Sequence, residues 1–205
     1  YYVLERRQEL AGMSTPYALV NAVFQSITTR TAGFDVLPQS ELSNPSLLLT
    51  LLLMFTGGAP GSTAGGVKVT TVFLVLLAVI RGTDSGGSLN VRNRRIDAET
   101  VARAPLFLLR ALALLFAAIL ALCVSEIATA GADRPFLGVV FESFSAFGTV
   151  GLSMGLTSQL TAAGKLIVIV TMFAGRIGLI TIAIGRPLPA RQEPVEYPSE
   201  KVLIG

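Results

Sequence analysis

Two short stretches hold the residues with the most chemical promise: Thr31-Ala32-Gly33-Phe34 and, far downstream, Phe147-Gly148-Thr149-Val150-Gly151-Leu152-Ser153. Each places a threonine two residues before a glycine, and each follows a short apolar segment. The two glycines lie 118 positions apart. Such a turn can offer its backbone. Successive peptide carbonyls replace the water around a cation, and glycine supplies dihedrals that other residues resist. A lone Thr-x-Gly occurs by chance in many chains. Its duplication at one membrane depth points to an ion filter formed by Thr31, Ala32, Gly33, Thr149, Val150 and Gly151.

Composition says what must position these turns. Of 205 residues, 52% are hydrophobic and 14% are charged, and the mean hydropathy is strongly positive. Long apolar runs of this kind read as membrane spans. The net charge of +3 is small, and its basic residues flank apolar runs, a pattern that orients a chain in a bilayer rather than binding nucleic acid. The chain has no histidine, which excludes serine–histidine hydrolysis and histidine-ligated metal sites. The single cysteine, Cys123, lies inside an apolar run and reads as a core thiol. A membrane-embedded enzyme also lacks paired aspartates within spans and a serine with a visible base.

The first turn is approached through Ser14-Thr15-Pro16, an N-cap candidate with proline at the helix start. Tyr17 to Ile27 then forms a helix of about 16 Å, too short to span. A short helix ending at an irregular turn is the form of a re-entrant pore loop, here 14–34, whose helix C-terminus aims partial negative charge at a cation. A short interfacial helix followed by a surface turn fits the same residues equally well. Asp35 and Glu41 follow, either as an acidic outer mouth or as two ordinary solvated carboxylates. From Pro45 to Phe55 the chain is apolar, and it is apolar again from Val67 to Ile80. Between these halves lies Thr56-Gly57-Gly58-Ala59-Pro60-Gly61-Ser62-Thr63-Ala64-Gly65-Gly66, which will not hold a helix. The expectation is one broken spanning helix, 45–80, unwound near mid-membrane. A phosphate cradle is rejected, because Val67 separates Gly66 from Lys68 and no strand precedes the loop. Lys68 either lines the pore or reaches the interface.

Residues 81–103 are polar and rich in arginine (Arg81, Arg92, Arg94, Arg95, Arg103), the mark of a cytoplasmic loop. A basic cluster of this kind also suits anionic lipid or a partner domain. Pro105 is expected to open a spanning outer helix, 105–125, followed by an external turn from Glu126 to Arg134. Pro135 starts a second short helix, Phe136 to Ser145, within a second pore loop, 135–153. The last span, 165–185, contains Met172-Phe173-Ala174-Gly175-Arg176. It matches Met54-Phe55-Thr56-Gly57-Gly58 at the same 118-residue offset as the filter glycines. Two copies of a helix–pore loop–helix unit are therefore expected, 1–80 and 104–186, with most of the first copy's opening helix absent. The offset sets Arg176 level with Gly58. A buried arginine in a span is costly and by default functional. Its expected partners are free carbonyls or the hydroxyls of Ser62 and Thr63. Residues 187–205, stiffened by four prolines, read as a cytoplasmic tail.

With these residues in hand, the chain resembles the TrkH/KtrB/HKT superfamily of potassium transporters. The resemblance rests on Thr28-Thr29-Arg30-Thr31-Ala32-Gly33-Phe34, on Met54 to Lys68, on Phe147 to Ser153 with Met172 to Gly178, and on the KtrB-like ending Tyr197 to Gly205. It implies an all-α membrane protein of the inner (plasma) membrane, in which four such repeats surround a pseudo-fourfold ion pore. It implies that Gly33 and Gly151 are the third and fourth filter glycines and that potassium is the transported ion. By the same likeness Gly57, Gly58, Pro60, Gly61, Ser62, Thr63, Gly65 and Gly66 form an intramembrane gate loop anchored by Arg176. It further implies a homodimer and a cytosolic ring of nucleotide-binding regulatory subunits (KtrA/TrkA-like), with no nucleotide site on this chain. Only two of the four repeats are present. The expectation is a C-terminal portion whose missing repeats come from the same or another chain; a non-conducting assembly subunit is the alternative.

Overall fold

A computed structural model describes residues 1–84, 86–91, 94–130 and 135–184, and for 129–130 and 178–184 the backbone alone. Seven helices dominate: α1 (Tyr2–Glu5), α2 (Thr15–Thr28), α3 (Asn44–Phe55), α4 (Val69–Arg81), α5 (Ala98–Ala130), α6 (Phe136–Gly148) and α7 (Ala162–Ile184). A 3-10 turn covers Thr157–Gln159. The helix starts are where the chain places Ser14 and Ser43 before Thr15-Pro16 and Asn44-Pro45, since proline in the first turn forfeits no needed N–H. Among the described residues α5 is the helix that is long and apolar enough to cross a bilayer, over Ala98–Ala128. It packs on α4, α6 and α7, while α6 also meets α3.

Several expected boundaries are corrected. The outer helix does not open at Pro105 or close at 125. It runs Ala98–Ala130 with Pro105 inside it. Asp97 explains the early start: its carbonyl accepts the first helical bond from Val101 N at 3.1 Å, and Glu99 sits in the first turn where the dipole favours an anion. The expected external turn therefore begins later, and Glu126 is a buried helical residue. Residues 81–103 are not one solvated loop. They hold a two-stranded antiparallel hairpin, β1 (Leu89–Val91) with β2 (Arg94–Ile96), so the chain is mostly rather than wholly helical. The second short helix continues to Gly148 instead of ending near Ser145. The expected tail, 187–205, lies outside the described residues.

Buried side chains knit the two halves together. Phe141, Val150 and Leu152 share one cluster with Leu10, Ala18, Leu47 and Met54. Phe147 joins Val67, Ala111 and Leu115, and its ring stacks on Phe55 at 5.9 Å. Burying side chains of this size stabilises the fold by roughly 1.5–3 kcal/mol each.

The same polar latch is formed twice. Glu5 is fully buried at the end of α1 and accepts from the backbone N–H (3.0 Å) and hydroxyl of Ser43, the residue that caps the start of α3. Glu126, on α5, accepts likewise from Thr161 N at 3.1 Å and Thr161 Oγ1 at 2.8 Å, immediately before α7. Ser43 and Thr161 are 118 positions apart. A helix N-terminus presents unpaired N–H groups and positive partial charge, and a buried carboxylate answers both. Replacing Glu126 with alanine is expected to destabilise the folded chain by about 2–3 kcal/mol, the scale of charge-assisted bonds lost in a buried site. Denaturant unfolding in detergent measures it, and an unchanged midpoint would show the latch to be idle.

Candidate ion-coordinating site

The two Thr-x-Gly turns have the same backbone. Thr31 and Thr149 have φ of 67° and 51°, and no other non-glycine described residue has positive φ. Gly33 and Gly151 follow at 75° and 98°, while Ala32 and Val150 keep negative φ. A β-branched residue in the left-handed region is strained by about 1–2 kcal/mol, and such outliers persist where the surroundings enforce them.

Five of the six amides are used. Ala32 N and Gly33 N both donate to Thr28 O, at 3.2 and 3.1 Å. In the second turn Thr149 N reaches Ala146 O at 3.0 Å, Val150 N reaches Ser145 O at 2.9 Å, and Gly151 N reaches Ser145 Oγ at 3.3 Å. Each helix end thus closes on its own turn, as helix C-caps do. By contrast, among the described residues no hydrogen bond ends on the carbonyl oxygens of Thr31, Ala32, Gly33, Thr149, Val150 or Gly151.

The turns meet. A methyl group at Gly33 would lie 2.2 Å from Val150 O and 3.4 Å from Gly151 Cα, and one at Gly151 would lie 3.6 Å from Gly33 Cα. The two turns, from distant parts of the chain, are thereby brought into contact at Gly33, Val150 and Gly151. A carbonyl shielded from bulk solvent and without a protein partner takes water or a cation. Oxygen-only coordination suits a hard monovalent or divalent ion. Among the described residues no group of His, Cys, Asp and Glu side chains could hold a metal ion.

The glycine-rich segment between α3 and α4 has a closed neck. Gly57 N donates to Val67 O at 2.8 Å, Val67 N to Phe55 O at 3.1 Å, and Val69 N to Gly58 O at 3.3 Å. The segment from Gly58 to Gly66 therefore leaves and re-enters at one point, turning at Pro60-Gly61, where Gly61 has φ 81°. Its far side rests on the second turn. A methyl at Gly65 would lie 2.6 Å from Thr149 Oγ1 and 2.8 Å from Gly148 O. Cations from two elements hold its carbonyls: Lys68 Nζ donates to Ala64 O at 2.6 Å, and Arg176 Nη1 donates to Thr63 O. The partner of Arg176 is thus a carbonyl of Thr63 and not the hydroxyl of Ser62 or Thr63. Within this chain its side chain is exposed, where the sequence suggested burial. Ser62 turns its hydroxyl to Ala59 O at 2.6 Å.

Sequence reasoning missed two contributors. Lys68, left open between the pore and the interface, bonds its own loop at Ala64 O. Glu142 and, before the first turn, Gln25 carry no expectation from sequence, although a carboxylate on a short apolar helix is itself a signal. Both are buried, and both hold the segment that follows their turn. Gln25 Nε2 donates to Gln39 Oε1 at 2.9 Å, and Gln39 in turn donates to Asp35 Oδ1 at 2.8 Å. That bond ties the first acidic residue of the expected outer mouth, while Glu41 is exposed.

Comparison with known proteins bears on this geometry. A family model described as TrkH, cation transport protein, matches residues 6–194. The chain is 41% identical over 182 residues to the Ktr system potassium uptake protein B of Bacillus subtilis, covering 89% of this chain and 39% of that one. It is 38% identical over 194 residues to the potassium/sodium uptake protein NtpJ of Enterococcus hirae, covering 91% and 42%. Against the Ktr system potassium uptake protein B of Vibrio alginolyticus it is 34% identical over 209 residues, covering 100% and 44%. The chain therefore spans about two fifths of the length of these relatives.

Proposed function

Because the chain belongs to the TrkH family of cation transport proteins, we propose that it supplies two of four sectors of a potassium-selective pore in the plasma membrane. One observation carries the reading. Six carbonyl oxygens, at Thr31 to Gly33 and Thr149 to Gly151, accept no hydrogen bond among the described residues, while five of the six amides behind them donate and the two turns touch at Gly33 and Val150. A dehydrated alkali cation is the partner such oxygens lack. In this reading α2 and α6 are pore helices whose C-termini face the ion, and α3–α4 and α7 are the inner helices of two repeats. Two sectors cannot enclose a four-sided filter, so further repeats, on the same or another chain, complete the ring.

The remaining roles follow from position. The loop from Gly57 to Gly66 lies against Thr149 and is the gate, and Arg176 is its anchor. The arginine-rich hairpin faces the cytoplasm, where a ring of nucleotide-binding regulatory subunits would act on the pore of a homodimer. Several relatives carry names of potassium uptake proteins, which supports the choice of ion.

The test is ion flux through the complete four-sector assembly in liposomes. Potassium uptake down its gradient, with sodium admitted much more slowly, is expected. An intact assembly that passes no potassium would overturn the proposal and favour a non-conducting assembly subunit.

A further inference from the structure

We infer that Glu142 is a specificity-determining positioning residue, whose carboxylate straps the segment after Gly151 to α6 and so fixes where the second turn's carbonyls stand. The inference rests on the pore reading above. Glu142 is 4% exposed and one helical turn before Ser145. Its Oε1 accepts from Met154 N at 3.1 Å and from the hydroxyl of Ser153, and its Oε2 accepts from the hydroxyl of Thr157. Ser145 holds Val150 and Gly151 from one side of the glycine, and Glu142 holds Ser153 to Thr157 from the other. Two neighbouring residues of α6 thus pin the turn on both flanks.

The strap matters because packing is incomplete behind the turn. A cavity of about 220 Å³ opens there, lined by Glu142, Ser145, Gly151, Ser153, Thr157 and Met172 among others. Burial of Leu152 and Leu156 anchors the segment, and on the cavity side the hydrogen bonds to Glu142 add to that packing. The first turn uses a different device at the matching place, the neutral pair Gln25–Gln39. Gln39 and Thr157 are 118 positions apart. The two sectors of the ring are therefore braced unequally, by an amide pair and by a carboxylate. Discrimination between alkali ions depends on the placement of carbonyl oxygens, and in the carboxylate-braced sector one side chain makes three of the bonds that hold the segment after the turn.

The experiment measures the potassium-to-sodium permeability ratio of the complete assembly in liposomes. Glu142→Ala is expected to lower the ratio about tenfold, equivalent to about 1.4 kcal/mol. Thr157→Val, nearly isosteric and able to fold if Glu142→Ala is not, should lower it severalfold. Glu142→Gln should keep most of the ratio, since its amide oxygen still accepts from Met154 and Ser153 and its NH2 can donate to Thr157. Glu126→Ala is the control: it breaks a comparable latch, to Thr161, that makes no bond to either turn, so it should cost stability and leave the ratio alone. A folded Glu142→Ala or Thr157→Val assembly with the parent ratio, or a Glu126→Ala assembly shifted as far as Glu142→Ala, overturns the inference. These outcomes leave the pore reading standing. A parent assembly that conducts no potassium overturns the pore reading, and the inference with it.

Discussion

Gly33→Ala is expected to abolish most potassium uptake, by about 100-fold or about 2.7 kcal/mol of barrier. Two penalties meet at this position. The backbone is held at φ 75°, where a Cβ is unfavourable by about 1–2 kcal/mol. The new methyl would also lie 2.2 Å from Val150 O, which is backbone and cannot rotate aside. Either Gly33 or the second turn must move, and in both cases carbonyls leave their places. Gly151→Ala separates these effects. Its φ of 98° is equally unfavourable, yet the nearest atom to the methyl is Gly33 Cα at 3.6 Å, an ordinary contact. It should therefore be the milder of the two, by about tenfold. Gly12→Ala provides the reference for strain alone, since φ is 83° and nothing lies within 4 Å. It should leave flux near the parent value. Rubidium or potassium uptake into liposomes ranks the three variants, and equal losses at Gly33 and Gly151 would show that the turns do not press on one another as the structure places them.

The order of these effects could not be read from sequence, and the reason is general to this chain. Thr31 to Gly33 and Thr149 to Gly151 stand out by composition and spacing, because glycine after a polar β-branched residue is unusual between apolar segments. The break between Phe55 and Val69 is equally plain, since five glycines and a proline leave no helix to form there. Which of two equivalent glycines is crowded is a tertiary fact, decided by where Val150 points. Burial of charge was also misjudged. Glu5 sits in a charged stretch, Glu5 to Glu9, that looks solvated, and only the arrival of Ser43 from a distant part of the chain makes a dry carboxylate tolerable. The start of α5 was misplaced because proline was weighed above Asp97-Ala98-Glu99, an acidic helix opening that a long helix with many packing contacts can follow despite a proline in its second turn.

Glycine serves a second purpose in the loop, and it bears on how the loop could move. Gly57, Gly65 and Gly148 each approach a carbonyl so closely that a methyl would lie 1.9–2.8 Å from it. The loop is thus seated by backbone contact on α3 and on the second turn, with little side-chain interlock to break. Contacts of that kind hold a segment in place when something else clamps it and release it readily when the clamp goes. Lys68 and Arg176 are that clamp, one from the loop's own base and one from the helix opposite.

Arg176→Gln should therefore raise unstimulated potassium flux about tenfold, or about 1.4 kcal/mol in the open-to-closed balance. That is near the lower end for a charge-assisted hydrogen bond, as fits a guanidinium exposed within this chain. The neighbouring carbonyl of Ala64 keeps its bond to Lys68, so the loop is loosened and not freed. Lys68→Gln alone should have a smaller effect, because Lys68 and Ala64 move together with the loop, whereas Arg176 ties the loop to another helix. In the double variant the gain should exceed the product of the single gains, as expected when two donors restrain adjacent carbonyls of one short segment. Deleting Pro60 to Ser62, which shortens the loop while leaving the neck bonds of Gly57, Val67 and Val69 in place, should mimic the double variant. Proteoliposome uptake in the absence of regulatory subunits is the measurement. If Arg176→Gln and the shortened loop both conduct at the parent rate, the loop does not obstruct the pore and its contact with Thr149 is only packing. If they conduct less, Arg176 and the loop support the second turn from beneath, and the clamp belongs to the filter's structure and not to its gating.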